Sequence, residues 1–115
     1  MRRREIRLVN LDPMIGSEAA RTRPGVIVSN DGANTTADRL RRGVVTVVPV
    51  TSNLSHVYPF QTLLPADETG LAVDSKAQAE QVRSVAVERV GNLIGNVPLQ
   101  LMDQLSDALR LHLDL

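Results

Sequence analysis

The run from Val44 to Val50, V-V-T-V-V-P-V, constrains the fold more than any other segment of the chain. It is shorter than a typical helix and consists mostly of β-branched residues, which favour a strand. Because it is apolar almost throughout, it predicts a central strand that is buried on both faces of a sheet. Pro49 has no backbone N–H, so it predicts a bulge or a position that needs no ladder hydrogen bond.

Other short strands are predicted on both sides of this run, and one clear helix follows them. The strands cover residues 5–11, with a bulge near residues 8–9, and residues 24–30, 56–64 and 94–96. A single helical turn capped at Asn34 is predicted between the second and third strands. From Pro98, which suits the first position of a helix, apolar side chains recur at spacings of three or four (Leu99, Met102, Leu105, Leu109 and Leu113). This order predicts a mainly β fold, a small barrel or curled sheet with a C-terminal helix packed against it.

The composition indicates one globular domain over residues 1–115. Of these residues 43% are apolar, and the absence of Cys excludes disulfides and zinc sites with thiolate ligands. No apolar run approaches the ~20 residues that span a bilayer. The basic start, Met1 to Arg4, is not followed by the apolar segment of a signal peptide. We therefore expect a cytoplasmic protein without membrane contact.

The charge is balanced overall but unevenly placed along the chain. Residues 1–57 hold nine Arg against five acids, a balance of +4, and residues 58–115 hold four cations against eight acids, a balance of −4. Twelve of the thirteen cations are Arg, whose planar fork matches two phosphate oxygens, although a general bias towards Arg codons explains them equally well. A basic half permits one face to meet an anionic polymer. The scarcity of aromatic residues weakens any hypothesis that needs many stacking platforms for nucleobases.

Arg23 and Thr51 are the only candidate pair for chemistry that these patterns suggest. A glycine-rich phosphate loop, paired catalytic carboxylates and a Gly-x-Ser-x-Gly motif are absent, and the isolated His56 and His112 indicate no metal site. Arg23 directly precedes the second predicted strand and Thr51 directly follows the third. If these strands are neighbours, a permanent cation and a hydroxyl come together. Taken alone, each residue is an ordinary strand-edge residue.

Both residues belong to a series of segments that match one known family in order along nearly the whole chain. The most specific are Arg-Pro at 23–24 with Val-Ile-Val-Ser-Asn-Asp at 26–31, and Glu-Gln-Val-Arg-Ser at 80–84. The others are residues 5–6, 8–9, 11–13, 16–18, 47–52, 59–60 and 74–77. Together they resemble the MazF (PemK-like) family of toxin endoribonucleases from type II toxin–antitoxin systems.

The resemblance implies a fold, a reaction and partners. The fold is an SH3-like small β-barrel with a C-terminal helix, which favours a strand over residues 75–84 although helix propensity there is high. Family members act as homodimers and cut single-stranded mRNA at short sequence motifs without a metal or other cofactor. They leave a 2′,3′-cyclic phosphate and a 5′-hydroxyl. A cognate MazE-like antitoxin blocks the RNA groove, and DNA contact is expected only indirectly, through an antitoxin complex.

The resemblance also implies roles for individual residues. Arg23 and Thr51 are the catalytic candidates, because a fixed guanidinium can stabilise charge on phosphoryl oxygens and a hydroxyl can donate to them or orient the attacking 2′-hydroxyl. The family implicates this Arg in proton transfer as well. A guanidinium is a poor base, so the sequence leaves open whether Arg23 acts as a general acid/base or as an electrostatic stabiliser. Six further residues are expected to bind RNA: Ser17, Glu18, Ser52, Asn53, Glu80 and Gln81.

Three positions depart from the family pattern. Arg4 stands where Gly is usual, Arg7 replaces a common aromatic residue, and Gly25 replaces a residue with a side chain. Two alternatives therefore stay open. One is a non-catalytic barrel toxin resembling the gyrase poisons, which share this fold class. The other is a degenerate family member that only binds antitoxin.

Overall fold

Seven strands form one antiparallel sheet in the computed structural model, which describes residues 1–12, 16–17 and 21–115. The strands are β1 (Glu5–Asn10), β2 (Thr22–Ile27), β3 (Val44–Thr51), β4 (Gln61–Leu64), β5 (Ser75–Gln78), β6 (Arg83–Ala86) and β7 (Val90–Asn96). The helices are α1 (Asp31–Leu40), α2 (Ala66–Thr69) and α3 (Leu99–Leu113), and 3₁₀ turns cover Ala79–Gln81 and Val87–Arg89.

Strand β3 is the centre of the sheet, as its apolar run predicts. The strand order is β4-β5-β3-β2-β1-β7, and β6 also pairs with β3. One edge of β3 pairs with β2, while the other edge is shared between β6, beside residues 44–47, and β5, beside residues 50–51. A strand with three partners curves the sheet around itself. The predicted mainly β, barrel-like fold with a C-terminal helix is confirmed.

The sheet is covered on both faces, because successive side chains of a strand point to opposite sides. One cluster lies under α3 and includes Val26, Val48, Met102 and Leu105, all at most 2% exposed. The other lies on the side of α1 and includes Ile27, Val45 and Val47 with Ala37 of the helix. Fully burying one such aliphatic side chain contributes about 2 kcal/mol, so these two clusters hold the strand ends in place.

Three local predictions need correction. Helix α1 runs for ten residues and its cap is Asn30, whose side chain accepts the N–H of Ala33 at 2.8 Å. Asn34 is instead buried, and its amide donates to the carbonyl of Ser29 at 2.8 Å. The fourth strand begins only at Gln61, since the segment 52–60 forms no strand. The predicted strand over 75–84 exists in two pieces, β5 and β6, separated by a 3₁₀ turn.

The buried part of the C-terminal helix is shorter than its apolar stripe. Helix α3 begins at Leu99, with Pro98 as its N-cap, and buries Met102, Leu105 and Ala108. Leu99 and Leu113, at the two ends of the stripe, are 68% and 49% exposed. In the described part of the chain, no helix combines the length and apolarity that crossing a bilayer requires.

The three unusual positions have distinct structural settings. Arg4 has a φ of 82°, a left-handed conformation that favours Gly, and its guanidinium donates to the carbonyl of Val97 at 3.1 Å. Arg7 forms a 2.8 Å ion pair with Glu5. Gly25 has room for a Cβ only at 3.2 Å from a methyl of Val9, which is a tight contact. The departures at positions 4 and 7 therefore lie at the junction of β1 with β7.

Candidate active site

The pairing of β2 with β3 brings Arg23 and Thr51 together. The strands are antiparallel, with Gly25 opposite Pro49 and Val26 opposite Val48. Two residues beyond the Gly25–Pro49 pair, the same register places Arg23 level with Thr51. Both side chains are half-buried and line one cavity of about 320 Å³. The sequence-based expectation that these two strands are neighbours is therefore confirmed.

Pro49 has a direct part in this arrangement. It stands opposite Gly25, so a residue without a backbone N–H faces a residue without a side chain. A methyl group at position 25 would lie 3.6 Å from the carbonyl oxygen of Val48 and 3.2 Å from Val9. The two strands thus pack closely just before they reach Arg23 and Thr51.

The cavity is formed by three segments of the chain. Its described lining is residues 21–24, residues 50–52, and Leu71, Ala72, Val73 and Ser75. Arg21 and Arg23 supply two cations, and none of the described lining residues carries a carboxylate. Within the part of the chain that the structure describes, Arg23 forms no ion pair. A partly enclosed cavity with unneutralised guanidinium groups favours an anion.

The hydroxyl of Thr51 has a defined orientation. Its oxygen accepts the backbone N–H of Asn53 at 3.2 Å, and the side-chain oxygen of Asn53 accepts the N–H of Ser55 at 3.1 Å. Since the first bond uses the Thr51 oxygen as an acceptor, the hydroxyl proton stays available to a group in the cavity. Ser52 lines the same cavity. Asn53 is exposed and is not among the described lining residues.

Two predicted RNA-binding residues that are far apart in the sequence are in direct contact. The side-chain amide of Gln81 donates to the backbone carbonyl of Ser17 at 3.1 Å. Ser17 lies in a turn at residues 16–17, and Gln81 ends the 3₁₀ turn between β5 and β6. Glu18, the next predicted residue, lies outside the described residues. The contact joins the connection between β1 and β2 to the connection between β5 and β6.

Glu80 is held by a residue that the sequence did not indicate. One of its carboxylate oxygens accepts the side-chain amide of Gln61 at 2.7 Å, and the amide oxygen of Gln61 accepts the N–H of Tyr58 at 3.2 Å. The other carboxylate oxygen is buried and has no hydrogen-bond partner among the described residues. An unpaired buried acceptor carries a desolvation cost. Gln61 carried no signal beyond its place inside the strand predicted for residues 56–64.

Lys76, the only Lys in the chain, is a second residue that sequence reasoning missed. It stands opposite Thr51 in the pairing of β3 with β5 and is only 6% exposed. Its ammonium group donates to the backbone carbonyl of His56. The signal that could have indicated it is that Lys76 is the single Lys of a chain whose other twelve cations are all Arg. In the described part of the chain, no group of three or more His, Asp or Glu side chains is placed to hold a metal ion.

Comparison with known proteins assigns a family to this geometry. The family model of the PemK-like, MazF-like toxins of type II toxin–antitoxin systems matches residues 2–113. Endoribonuclease MazF9 of Mycobacterium tuberculosis is 64% identical over 115 residues, which are 100% of this chain and 98% of that protein.

Solved structures agree with the fold. The Mycobacterium tuberculosis toxin MazF-mt6 superposes with a TM-score of 0.78 at 22% identity, covering 97% of this chain and 98% of the other. An endoribonuclease in complex with its cognate antitoxin, from a mycobacterial species, superposes with a TM-score of 0.75 at 19% identity, covering 100% and 96%. The chain is therefore a member of the PemK-like, MazF-like family, the toxins of type II toxin–antitoxin systems, as its sequence motifs predicted.

Proposed function

We propose that residues 1–115 form one toxin endoribonuclease domain that cleaves single-stranded mRNA at the cavity of Arg23 and Thr51. The observation that supports this most is the shared cavity, which combines a guanidinium that forms no ion pair with any described residue and a hydroxyl with an available proton. The relation to a protein named as an endoribonuclease, at 64% identity over the full chain, supports the same reaction class.

The proposed reaction is an internal transesterification that needs no cofactor. The 2′-hydroxyl loses its proton and its oxygen attacks the adjacent phosphorus, while the bond from phosphorus to the 5′-oxygen breaks. The products are a 2′,3′-cyclic phosphate and a 5′-hydroxyl, whose oxygen gains a proton. Negative charge grows on the non-bridging oxygens, where Arg23 supplies paired donors and Thr51 a further one. The roles rest on groups already positioned before the substrate binds.

Six residues are proposed to bind the RNA on either side of the cleaved phosphate. Ser52 is in the cavity itself, and Asn53 follows it. Ser17 and Gln81 form the contact between the two turns, and Glu80 is the carboxylate held by Gln61. The sixth residue, Glu18, directly follows Ser17 in the sequence. Amide and carboxylate groups can hydrogen-bond the edges of splayed bases, which is how single-stranded RNA is read by sequence.

The proposed partners are a second copy of the chain and a MazE-like antitoxin. Exposed leucines on β7 and α3 support self-association, since Leu93, Leu99 and Leu111 are 51%, 68% and 58% exposed. A structural neighbour solved with its cognate antitoxin supports the second partner. We place this toxin in the cytoplasm, where mRNA is available, with DNA contact only through an antitoxin complex. Sedimentation equilibrium of the purified protein tests the dimer.

The test of the reaction is to map the 5′-hydroxyl ends of a long RNA after digestion in EDTA. The wild type should cut at a short recurring motif, and Arg23→Ala should lower cleavage at least about a hundredfold without unfolding. Arg39→Ala is the matched control, because Arg39 is an exposed residue of α1 away from the cavity. Intact RNA with folded wild-type protein would refute the proposal, and stalled topoisomerase–DNA complexes would then indicate a gyrase poison.

A further inference from the structure

All four aromatic rings of the chain form one continuous row. The chain has one Tyr, one Phe, two His and no Trp. His56 stacks on Tyr58 with ring centroids 5.9 Å apart, and Tyr58 stacks on Phe60 at 5.3 Å and an interplanar angle of 6°. His112 of α3 follows Phe60 at 6.3 Å. We call these four side chains the ring row.

The sequence explains why the ring row forms. Residues 56, 58 and 60 are close in the sequence, and a turn at residues 59–60, in which the backbone N–H of Gln61 donates to the carbonyl of Tyr58 at 2.9 Å, places Phe60 beside Tyr58. The helix α3 packs on β4, the strand that follows this segment, and thereby supplies His112 at the far end. Aromatic rings that meet in offset stacks gain about 1 kcal/mol per pair beyond the area they bury.

The two ends of the ring row differ. At the far end, His112 meets Phe60 at an interplanar angle of 49° and so covers that face with a tilted ring. At the near end, His56 is exposed, and because the chain has no further ring, no aromatic residue of the same chain can cover its outer face. The row therefore presents one open aromatic face, at His56.

Lys76 connects this open end to the candidate active site. Its backbone stands opposite Thr51, its ammonium donates to the carbonyl of His56, and its nitrogen lies 6.0 Å from the centre of the Tyr58 ring. Among the described residues Lys76 has no carboxylate partner. A buried cation adds positive potential beside the cavity. Its bond to His56 also holds the segment 52–60 against β5, next to the strand that carries Thr51.

We infer that the outer face of His56 is a stacking site for a nucleobase of the RNA strand whose phosphate is bound by Arg23 and Thr51. This rests on the proposed ribonuclease function. The imidazole ring continues the stack of the RNA bases, and the stacked rings of Tyr58 and Phe60 behind it hold the platform in place. Because every base has a π-face, the site adds affinity for the strand and little discrimination between bases.

The absence of Trp allows a direct test. In His56→Trp the new indole is the only Trp of the protein, so its fluorescence reports this one position. We expect quenching when a fully 2′-O-methylated oligoribonucleotide, which lacks the attacking hydroxyl, is titrated in. The affinity of this variant should equal or exceed that of the wild type, and His56→Ala should bind about tenfold more weakly.

His112→Ala is the matched control, since His112 is the other end of the ring row and should leave the affinity unchanged. Unaltered RNA affinity in His56→Ala together with an unquenched indole would overturn the inference. If the indole fluorescence of His56→Trp changes when the protein is diluted without RNA, the outer face at position 56 is a contact between copies of the chain. That result would also overturn the inference. If the wild type neither binds nor cleaves RNA, the proposed function fails. If the wild type does both and the His56 variants match it, only the stacking site fails.

Discussion

The two groups of predicted site residues are held in different ways. Arg23 and Thr51 lie at the ends of two strands whose backbone ladder and buried valines position them. Ser17 and Gln81 lie on two turns that meet through a side-chain-to-backbone hydrogen bond across 64 residues of sequence. A ladder is cooperative, and a single bond contributes about 1 kcal/mol. Under the proposed function, the chemistry would depend on a rigid part of the molecule and base recognition on a more adaptable one.

The largest effect should come from the rigid group. Thr51→Val keeps the shape of the side chain but removes the hydroxyl, so cleavage of single-stranded RNA should fall about a hundredfold. Thr51→Ser restores the donor and should recover most of the rate. Single-turnover cleavage rates measure both, with Thr35→Val of the exposed face of α1 as the control. Equal rates for the Val and Ser variants would show that the hydroxyl is not used.

A smaller and different effect should come from the adaptable group. Gln81→Ala removes the bond to the carbonyl of Ser17, and we expect a change of at most about tenfold in total cleavage but a broader set of cleaved motifs. Sequencing of the 5′-hydroxyl ends measures this distribution. The exposed Gln104→Ala of α3 serves as the control. An unchanged motif would place base recognition elsewhere and remove the distinction between the two groups.

Substitutions of Arg4 test whether the backbone just before β1 is strained. Both Arg4→Ala and Arg4→Gly lose the side-chain hydrogen bond to the carbonyl of Val97. Only Gly relieves the strain of the positive φ of 82° just before β1. The Gly variant should therefore be more stable than the Ala variant by about 1 kcal/mol. Denaturant unfolding of the pair measures the difference. Equal stabilities would mean that the backbone at position 4 is not strained.

The smallest effect concerns the ion pair of Glu5 and Arg7. Partial burial disfavours the charged carboxylate, but the hydrogen bond and charge of Arg7 outweigh it and hold the pKa of Glu5 below its usual value of 4.5. A lowered pKa in the folded state stabilises the protein above the unfolded pKa, and this contribution is lost as the pH falls through the folded value. Glu5→Gln should therefore have a lower Tm than the wild type at pH 7. The two Tm curves should converge below pH 4.5, and a constant difference would exclude the linkage.

Local patterns were sufficient for much of the sheet. The apolar run at Val44–Val50 indicated a central strand, and the position of Arg23 and Thr51 beside two such runs indicated that they could meet. Local patterns gave the wrong prediction where two nearby residues were equally good candidates for the same structural role. Asn30 and Asn34 are both good caps, and burial of Asn34 against Ser29 decided between them. Residues 75–84 have high helix propensity, but β5 and β6 form there because both strands pair with β3.

The sequence by itself determined the family, the mainly β fold and the two strand ends that carry Arg23 and Thr51, because short-range periodicity and ordered motifs are local properties of the chain. Only the tertiary structure decided that Gln81 contacts Ser17, that Gln61 holds Glu80, and that His112 of α3 meets Phe60 at the end of the ring row. These contacts join residues far apart in the sequence, and they depend on how the curved sheet and α3 close on each other. The local preferences of the sequence therefore could not predict these contacts.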